Sequence, residues 1–393
     1  MKPLHGVRVL DLTQLLSGPY ATQILADLGA EVIKIEQPGG DKARGNGPLI
    51  DGHSTYFASV NRGKKSLALN LKNDRGRQIF AELVRHSAVI VENYRPGVAD
   101  RLGVGFDVLR EWNPAIIYAA CSGFGHSGSQ SGRPALDLII QAMAGTMSLT
   151  GEPGGPPLRS GFSVGDIGAG LYLAIAILAA LVPASAERHA TYIDISMLDT
   201  QVALLENSFA RFFATQEVPQ ANGSRHPVLA PFQCFSAKDG RFVVATSTQT
   251  HWIKFTGVIG KPWLSNEPMF LTATDRVRNI AQLEQILDPI FLERSRDEWI
   301  HLFEEAGVPV GRVNTVSDAA DDPVLLAREM FSEVQFGSTR LKVVGSPLHI
   351  NGRPMEAEAV VAEFNANQAE VLGRLLNMDS EQIERLRQEG AFE

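Results

Sequence analysis

The chain has 393 residues, 44% hydrophobic and 20% charged, enough for two or three domains with ample cores. Its 36 basic and 44 acidic residues give a formal charge of −8, which argues against nucleic acid or an anionic membrane as the main partner. Cys121 and Cys234 are the only cysteines, too few for a disulfide framework and suited to a reducing cytoplasm.

Taken in chain order, the first 120 residues alternate in type. The opening MKPLHGVRVLDLTQ lacks the apolar stretch of a signal peptide and contains a short strand at Val7–Leu12. A helix follows at Pro19–Leu28, where Pro19 suits a first turn. Next come a strand at Glu31–Glu36, an amphipathic helix at Asp74–Arg85, a strand at 88–92, a helical stretch over Val98–Trp112 and a strand at 116–120. Near-continuous apolar strands alternating with helices predict a parallel sheet covered on both faces. The pattern then changes to a glycine-rich loop at 123–132, a helix at 136–149 and a second loop at 150–165.

An uncharged run, IGAGLYLAIAILAALV, occupies 167–182. At about 16 residues it falls short of the ~20 needed to span a bilayer, so it is read as a buried core helix. A strand at 191–195 and a long helix at 198–215 follow. Two strands around a turn at 238–240 open a different region, with helices at 251–259, 274–293 and 296–305. The divisions are therefore a large domain over 1–224, a small domain over 225–315, and a segment over 316–393 that returns to the large domain. That last segment has strands at 333–336 and 341–344 and a final amphipathic helix.

Chemistry-bearing patterns are few. The nine histidines and two cysteines form no zinc spacing. No GxSxG elbow is present, and the turn after the first strand, TQLLSGPYA, lacks the glycines of a dinucleotide fingerprint. Cys121 is read as a buried strand cysteine rather than a nucleophile. Arg62, Lys64, Lys65, Lys72, Arg75, Arg95 and Arg101 flank strand ends, either as ligands for a phosphate-rich molecule or as solvated surface charges. In GFSVGDIGAG, one carboxylate, Asp166, sits between glycines where the apolar helix begins. It is either a helix cap or a nucleophile.

The ordered series GVRVLDLTQLLSGPYATQILADLGAEVIKIE, NRGKKSLALNLK, VIVENYRPGVADRLG, GRPALDLIIQAMAG, VGDIGAGLYLAIAILAAL, SRHPVLAPFQCFSAKDG and GVPVGRVNTVSD closely resembles the family III coenzyme A transferases. These include formyl-CoA:oxalate and carnitine CoA-transferases. The resemblance implies an α/β fold, with a Rossmann-like parallel sheet in the large domain, a smaller α+β domain and an interlocked homodimer. It implies that Asp166 is the nucleophile and that coenzyme A enters as a substrate, with no tightly bound cofactor and no metal. By the same matching, coenzyme A would contact Leu15, Leu16, Ser17, the segment Leu69–Lys72, Asn93, Tyr94, Arg95 and Arg101. Asp137 matches an acidic active-site position.

Three departures, Leu16, Gln37 and the segment 247–251, point away from formyl-CoA or oxalate specificity while leaving the coenzyme A site intact. Related α-methylacyl-CoA racemases need two acid/base groups and carry a histidine before the acidic residue. Here that pair is Leu136-Asp137, which favours transferase over racemase; an inactive CoA-binding homologue is a third reading.

The expected chemistry is attack by an ionised Asp166 (ordinary pKa ~3.9) on a thioester, through anhydride and aspartyl-CoA thioester intermediates. Gly165, Gly168 and Gly170 would offer amides to the oxyanions, and the loop at 150–165 would cover the site. Succinyl-CoA is the expected donor, with Arg44, Arg159 and Arg225 as candidate anchors for a distal carboxylate.

Overall fold

The computed structural model describes residues 2–184 and 187–392, which divide into two compact units. The larger unit comprises Met1–Thr146, Arg159–Gln216 and Pro323–Glu393; the smaller comprises Met147–Leu158 and Glu217–Asp322. The smaller unit thus takes in a short segment that the sequence reading leaves with the large domain.

Six strands build the main sheet: β1 (Arg8–Asp11), β2 (Glu31–Glu36), β3 (Lys65–Ala68), β4 (Val89–Glu92), β5 (Ile117–Ser122) and β6 (Thr191–Ser196). All neighbours are parallel, in the order β3-β2-β1-β4-β5-β6. Strands β4 and β5 are buried at every position, as expected for strands covered on both faces. The strand order reverses between β1 and β4, so a crevice opens there beyond the carboxyl ends of the strands.

Five helices matter for the site: α1 (Ser17–Asp27), α2 (Asp74–Arg85), α3 (Asp137–Ala144), α4 (Val164–Leu181) and α5 (Met197–Leu204). Among the described residues, α4 alone is long and apolar enough to cross a membrane. One face of it, Ala169, Leu173, Ala174 and Ile177, packs on the sheet and on Ala21 and Leu25 of α1. Burying Leu173 and Ile177 contributes about 2 kcal/mol each. The other face leaves Leu171, Tyr172 and Ile175 exposed, at helical spacing.

Glycines bring α4 close to its neighbours. A Cβ on Gly170 would lie 2.7 Å from the Ser17 carbonyl oxygen, and one on Gly168 would lie 2.9 Å from Leu204 Cδ1. These positions therefore need glycine for close approach rather than for backbone freedom.

Several stretches read as single helices are divided. Val98–Trp112 becomes Val98–Arg101 and Phe106–Trp112, separated by Gly103 in the left-handed region at φ +72°. The stretch 198–215 breaks at Leu205, and 274–293 breaks at Asn279. The 136–149 helix stops at Ala144, where Gly145 turns left-handed at φ +94°.

Within the smaller unit, antiparallel strands Phe232–Ser236, Arg241–Ala245 and Val310–Arg312 pack on helices. Its core is aromatic, built on Trp252, Phe255, Phe291 and Phe303.

The C-terminal segment returns to the large sheet. Asn365 and Asn367 accept the Ala68 and Ser66 amides through their side-chain oxygens at 2.9 and 3.0 Å, covering the outer edge of β3. Helices Gln368–Leu376 and Ser380–Gln388 then bury Val371, Leu372 and Ile383 in the core on that side.

Candidate active site

A cavity of about 350 Å³ lies in the larger unit at the carboxyl end of the sheet. Its wall includes Leu15, Leu16 and Ser17 after β1, Asn93, Tyr94 and Arg95 after β4, and Asp137 and Asp166 from α3 and α4. Residues far apart in sequence thus converge because each follows a parallel strand or starts a helix facing the crevice. Leu69, Lys72, Arg101, Gly165 and Gly168 do not line this cavity. Leu69 is fully buried, whereas Lys72 and Arg101 are exposed.

Asp166 is the third residue of α4, one turn inside its start. Ser163 holds the cap position, though its own side chain makes no capping bond, so the cap reading of Asp166 is corrected. Burial first, and then the like charge of Asp137, push the Asp166 carboxyl up to about 6; a hydrogen bond from Ser17 pulls the other way. The expectation of an ordinary carboxylate pKa is likewise revised.

Asp137 opens α3 and reaches across to α4. Its Oδ1 accepts the Gly165 amide at 2.8 Å, and its Oδ2 accepts Gln141 Nε2 at 2.7 Å. Gln141 Oε1 in turn accepts the Ser160 amide at 2.9 Å, which fixes the chain leading into α4. The Gly165 amide is therefore committed to Asp137, while Gly168 and Gly170 lie inside α4 with their open side packed. The expected use of these glycines as oxyanion donors is replaced by two roles, helix packing and an amide-capping bond.

The loop after β1 is held from both sides. Asn93 Nδ2 donates to the Gln14 carbonyl and Asn93 Oδ1 accepts the Gln14 amide, both at 2.8 Å. Leu15 adopts φ +64°, a left-handed conformation that costs a non-glycine residue free energy. Beneath it, Lys34 Nζ donates to the Thr13 carbonyl at 2.7 Å and pairs with Asp41 at 2.9 Å. Asp41 Oδ1 accepts the Leu15 amide at 3.4 Å. On the β4 side, Glu92 accepts the Tyr94 amide at 2.6 Å and the Tyr118 hydroxyl at 3.0 Å. Burial pushes the Glu92 carboxyl up to about 7.

Of the seven basic residues at strand ends, Lys72, Arg75, Arg95 and Arg101 are exposed, whereas Arg62 and Lys64 are buried and Lys65 half-buried, each held by an acidic partner. Lys64 is buried and donates to Asp11, Thr22, Asn61 and the Pro19 carbonyl. Arg62 pairs with buried Asp27 at 2.7 Å, Lys65 with Glu31 at 3.0 Å, and Arg75 with Glu389 at 2.6 Å. Each answers an acidic partner on another element, so these pairs knit the unit together; only Arg95 of the set lines the cavity.

Some cavity residues carry no sequence signal. Tyr56 sits in a five-residue helix capped by Ser54, and its phenol is pushed up to about 12 by burial and by the charge of Asp166. Cys121 lies on the wall but is buried, and burial pushes its thiol up to about 12, an inert setting. Arg133, Ser163 and Met197 also line the space. Of the loop expected to cover the site, the lining residues are Arg159 and Ser163. Among the described residues no group of three histidine, cysteine or acidic side chains is placed to hold a metal ion.

Residues 4–361 match CoA-transferase family III. The chain belongs to that family. It is 41% identical to the acetyl-CoA:oxalate CoA-transferase of Acetobacter aceti over 352 residues, covering 89% of this chain and 90% of that one. It is 35% identical to the succinyl-CoA:glutarate CoA-transferase of Mus musculus over 396 residues, covering 100% and 91%. Its fold matches the crystal structure of a CaiB/BaiF family protein from Brucella suis with a TM-score of 0.84. That pair is 33% identical, with 95% and 99% of the two chains covered. The protein is a CoA-transferase acting on acyl-CoA and a carboxylic acid.

Proposed function

We propose that this CoA-transferase moves coenzyme A from an acyl-CoA donor, succinyl-CoA being the first to test, to a dicarboxylate acceptor, with Asp166 as the covalent nucleophile. The observation that carries this reading is the position of Asp166: partly buried, in the first turn of α4, on the wall of a cavity that also gathers Ser17, Asn93 and Arg95. The helix N-terminus favours its negative charge, while burial leaves that charge poorly solvated and so reactive.

The steps balance without a proton. An Asp166 carboxylate oxygen attacks the thioester carbonyl, the C–S bond breaks, and coenzyme A leaves as thiolate from a mixed anhydride. The thiolate then attacks the Asp166 carbonyl carbon and expels the donor acid, leaving an aspartyl-CoA thioester. An acceptor carboxylate attacks the same carbon and releases the thiolate. That thiolate takes the acceptor acyl group and restores Asp166. Coenzyme A is a substrate throughout, with no resident cofactor.

Relatives named for oxalate and for glutarate keep both acids among the acceptors to try. Leu136, immediately before Asp137, is 69% exposed and carries no proton, which disfavours a racemase. The uncovered apolar face of α4 suits a second copy of the chain, consistent with an interlocked homodimer. Two unpaired cysteines suit a cytoplasmic setting.

The test is to mix the protein with propionyl-CoA, quench in acid and measure the mass of the peptide carrying Asp166. An adduct is expected in the wild type and not in Asp166→Ala, which should lose transfer altogether; full turnover by that variant would sink the reading.

A further inference from the structure

We propose that Arg159 is the specificity-determining residue that binds the far carboxylate of a dicarboxylate acceptor while the near carboxylate meets Asp166. This deepens the transfer reading above and rests on it. Three arginines are candidates from the sequence, and the structure separates them. Arg44 is spent on Glu36, which it grips with two bonds of 2.8 and 2.7 Å while stacking 4.0 Å above the Phe57 ring. Arg225 is spent on Glu284 in the smaller unit, again through two bonds, of 2.7 and 2.8 Å.

Arg159 differs on each point. It lines the cavity that holds Asp166, and its side chain is 54% exposed. The nearest carboxylate oxygen, Asp137 Oδ2, stands 4.0 Å away, beyond hydrogen-bonding range, and already accepts Gln141 Nε2. The guanidinium therefore keeps its fork of donors for a ligand. Its backbone is nevertheless fixed, because the next residue, Ser160, donates its amide to Gln141. A fixed stem with an uncommitted planar head matches bidentate carboxylate recognition. Charge points the same way. Asp137 and Asp166 place two carboxylates on this wall, so a dianionic acceptor needs a cation beside them. Arg95 and Arg133 also line the cavity, but Arg159 is the one of the three that stands within 4.0 Å of either carboxylate, beside Asp137 and without pairing so tightly to Asp166 as to quench the nucleophile.

The experiment compares wild type, Arg159→Gln and Arg159→Lys with propionyl-CoA as donor, since that donor has no second carboxylate. Succinate and butyrate serve as acceptors of equal length. Arg159→Gln should lower kcat/KM for succinate by roughly 10- to 100-fold, the size of a lost charged hydrogen bond, mainly through KM, and change butyrate by less than about threefold. Arg159→Lys should lie between. Formation of the Asp166 adduct from propionyl-CoA alone should proceed at the wild-type rate in both variants. If butyrate turnover is too slow to measure, the rise in succinate KM with unchanged adduct formation is the required result. Equal losses on both acceptors, no loss on succinate, or slowed adduct formation would each overturn the assignment. Absence of any adduct in the wild type would instead overturn the Asp166 mechanism, so the two failures are distinguishable.

Discussion

Asp137, the first residue of α3, meets Asp166 at the start of α4 in an opposed role: Asp137 Oδ1 holds the Gly165 amide at 2.8 Å, and its charge helps keep the neighbouring Asp166 carboxyl raised to about 6. The residue that fixes the helix start thus also tunes the nucleophile beside it.

This coupling makes a pH prediction. Only ionised Asp166 attacks, so wild-type kcat/KM should rise with half-effect near pH 6 and level off above pH 7. Asp137→Asn keeps an oxygen for Gly165 but removes the like charge, so the Asp166 pKa falls. The acid limb should move down by about half a unit to one unit. Asp137→Ala also loses the bond to Gly165 and should cost about 1 kcal/mol of stability. A pH–rate profile and a thermal melt check both, and an unmoved acid limb in Asp137→Asn would refute the coupling.

Two helix glycines make a matched pair. At Gly170 an added methyl meets the Ser17 carbonyl oxygen, main chain that cannot step aside, so α1 and α4 must separate. Gly170→Ala should cost about 1–3 kcal/mol and, by moving Ser17, lower kcat. At Gly168 the obstacles are the side chains of Leu204 and Thr200, which can turn away. Gly168→Ala should be milder, with kcat little changed. Denaturant unfolding alongside turnover separates the two.

The buried Asp11–Lys64 pair is structural. Burial alone would push Asp11 up, but Lys64, Lys34 and bonds from Thr13 and Thr22 hold its carboxyl well below the usual range. Lys64→Met leaves Asp11 uncompensated and should cost about 3–5 kcal/mol. Adding Asp11→Asn should recover part of that loss, a non-additivity that a double-mutant cycle measures. If the double variant were no more stable than Lys64→Met, the pair would not be the cause.

The α/β alternation was legible because buried parallel strands such as β4 and β5 are apolar throughout, and Asp166 stood out because a lone charge precedes sixteen uncharged residues. The roles of Arg62, Lys64 and Lys65 were not legible. Pairing with Asp27, Asp11 and Glu31 depends on strand order, and spacing along the chain does not encode strand order. The raised carboxyl of Asp166 was hidden for a similar reason, since burial and Asp137 act through space. Tyr56 gave no periodic signal, and only folding carries its short helix to the cavity.

The asparagines that close the edge of β3 have a consequence for biosynthesis. Asn365 and Asn367 lie about three hundred residues beyond the strand they cover, so during translation that strand emerges with its outer amides bare. The nascent chain carries an open sheet edge until residues 365–367 have left the ribosome, and over that interval the edge is exposed to pairing with a neighbour.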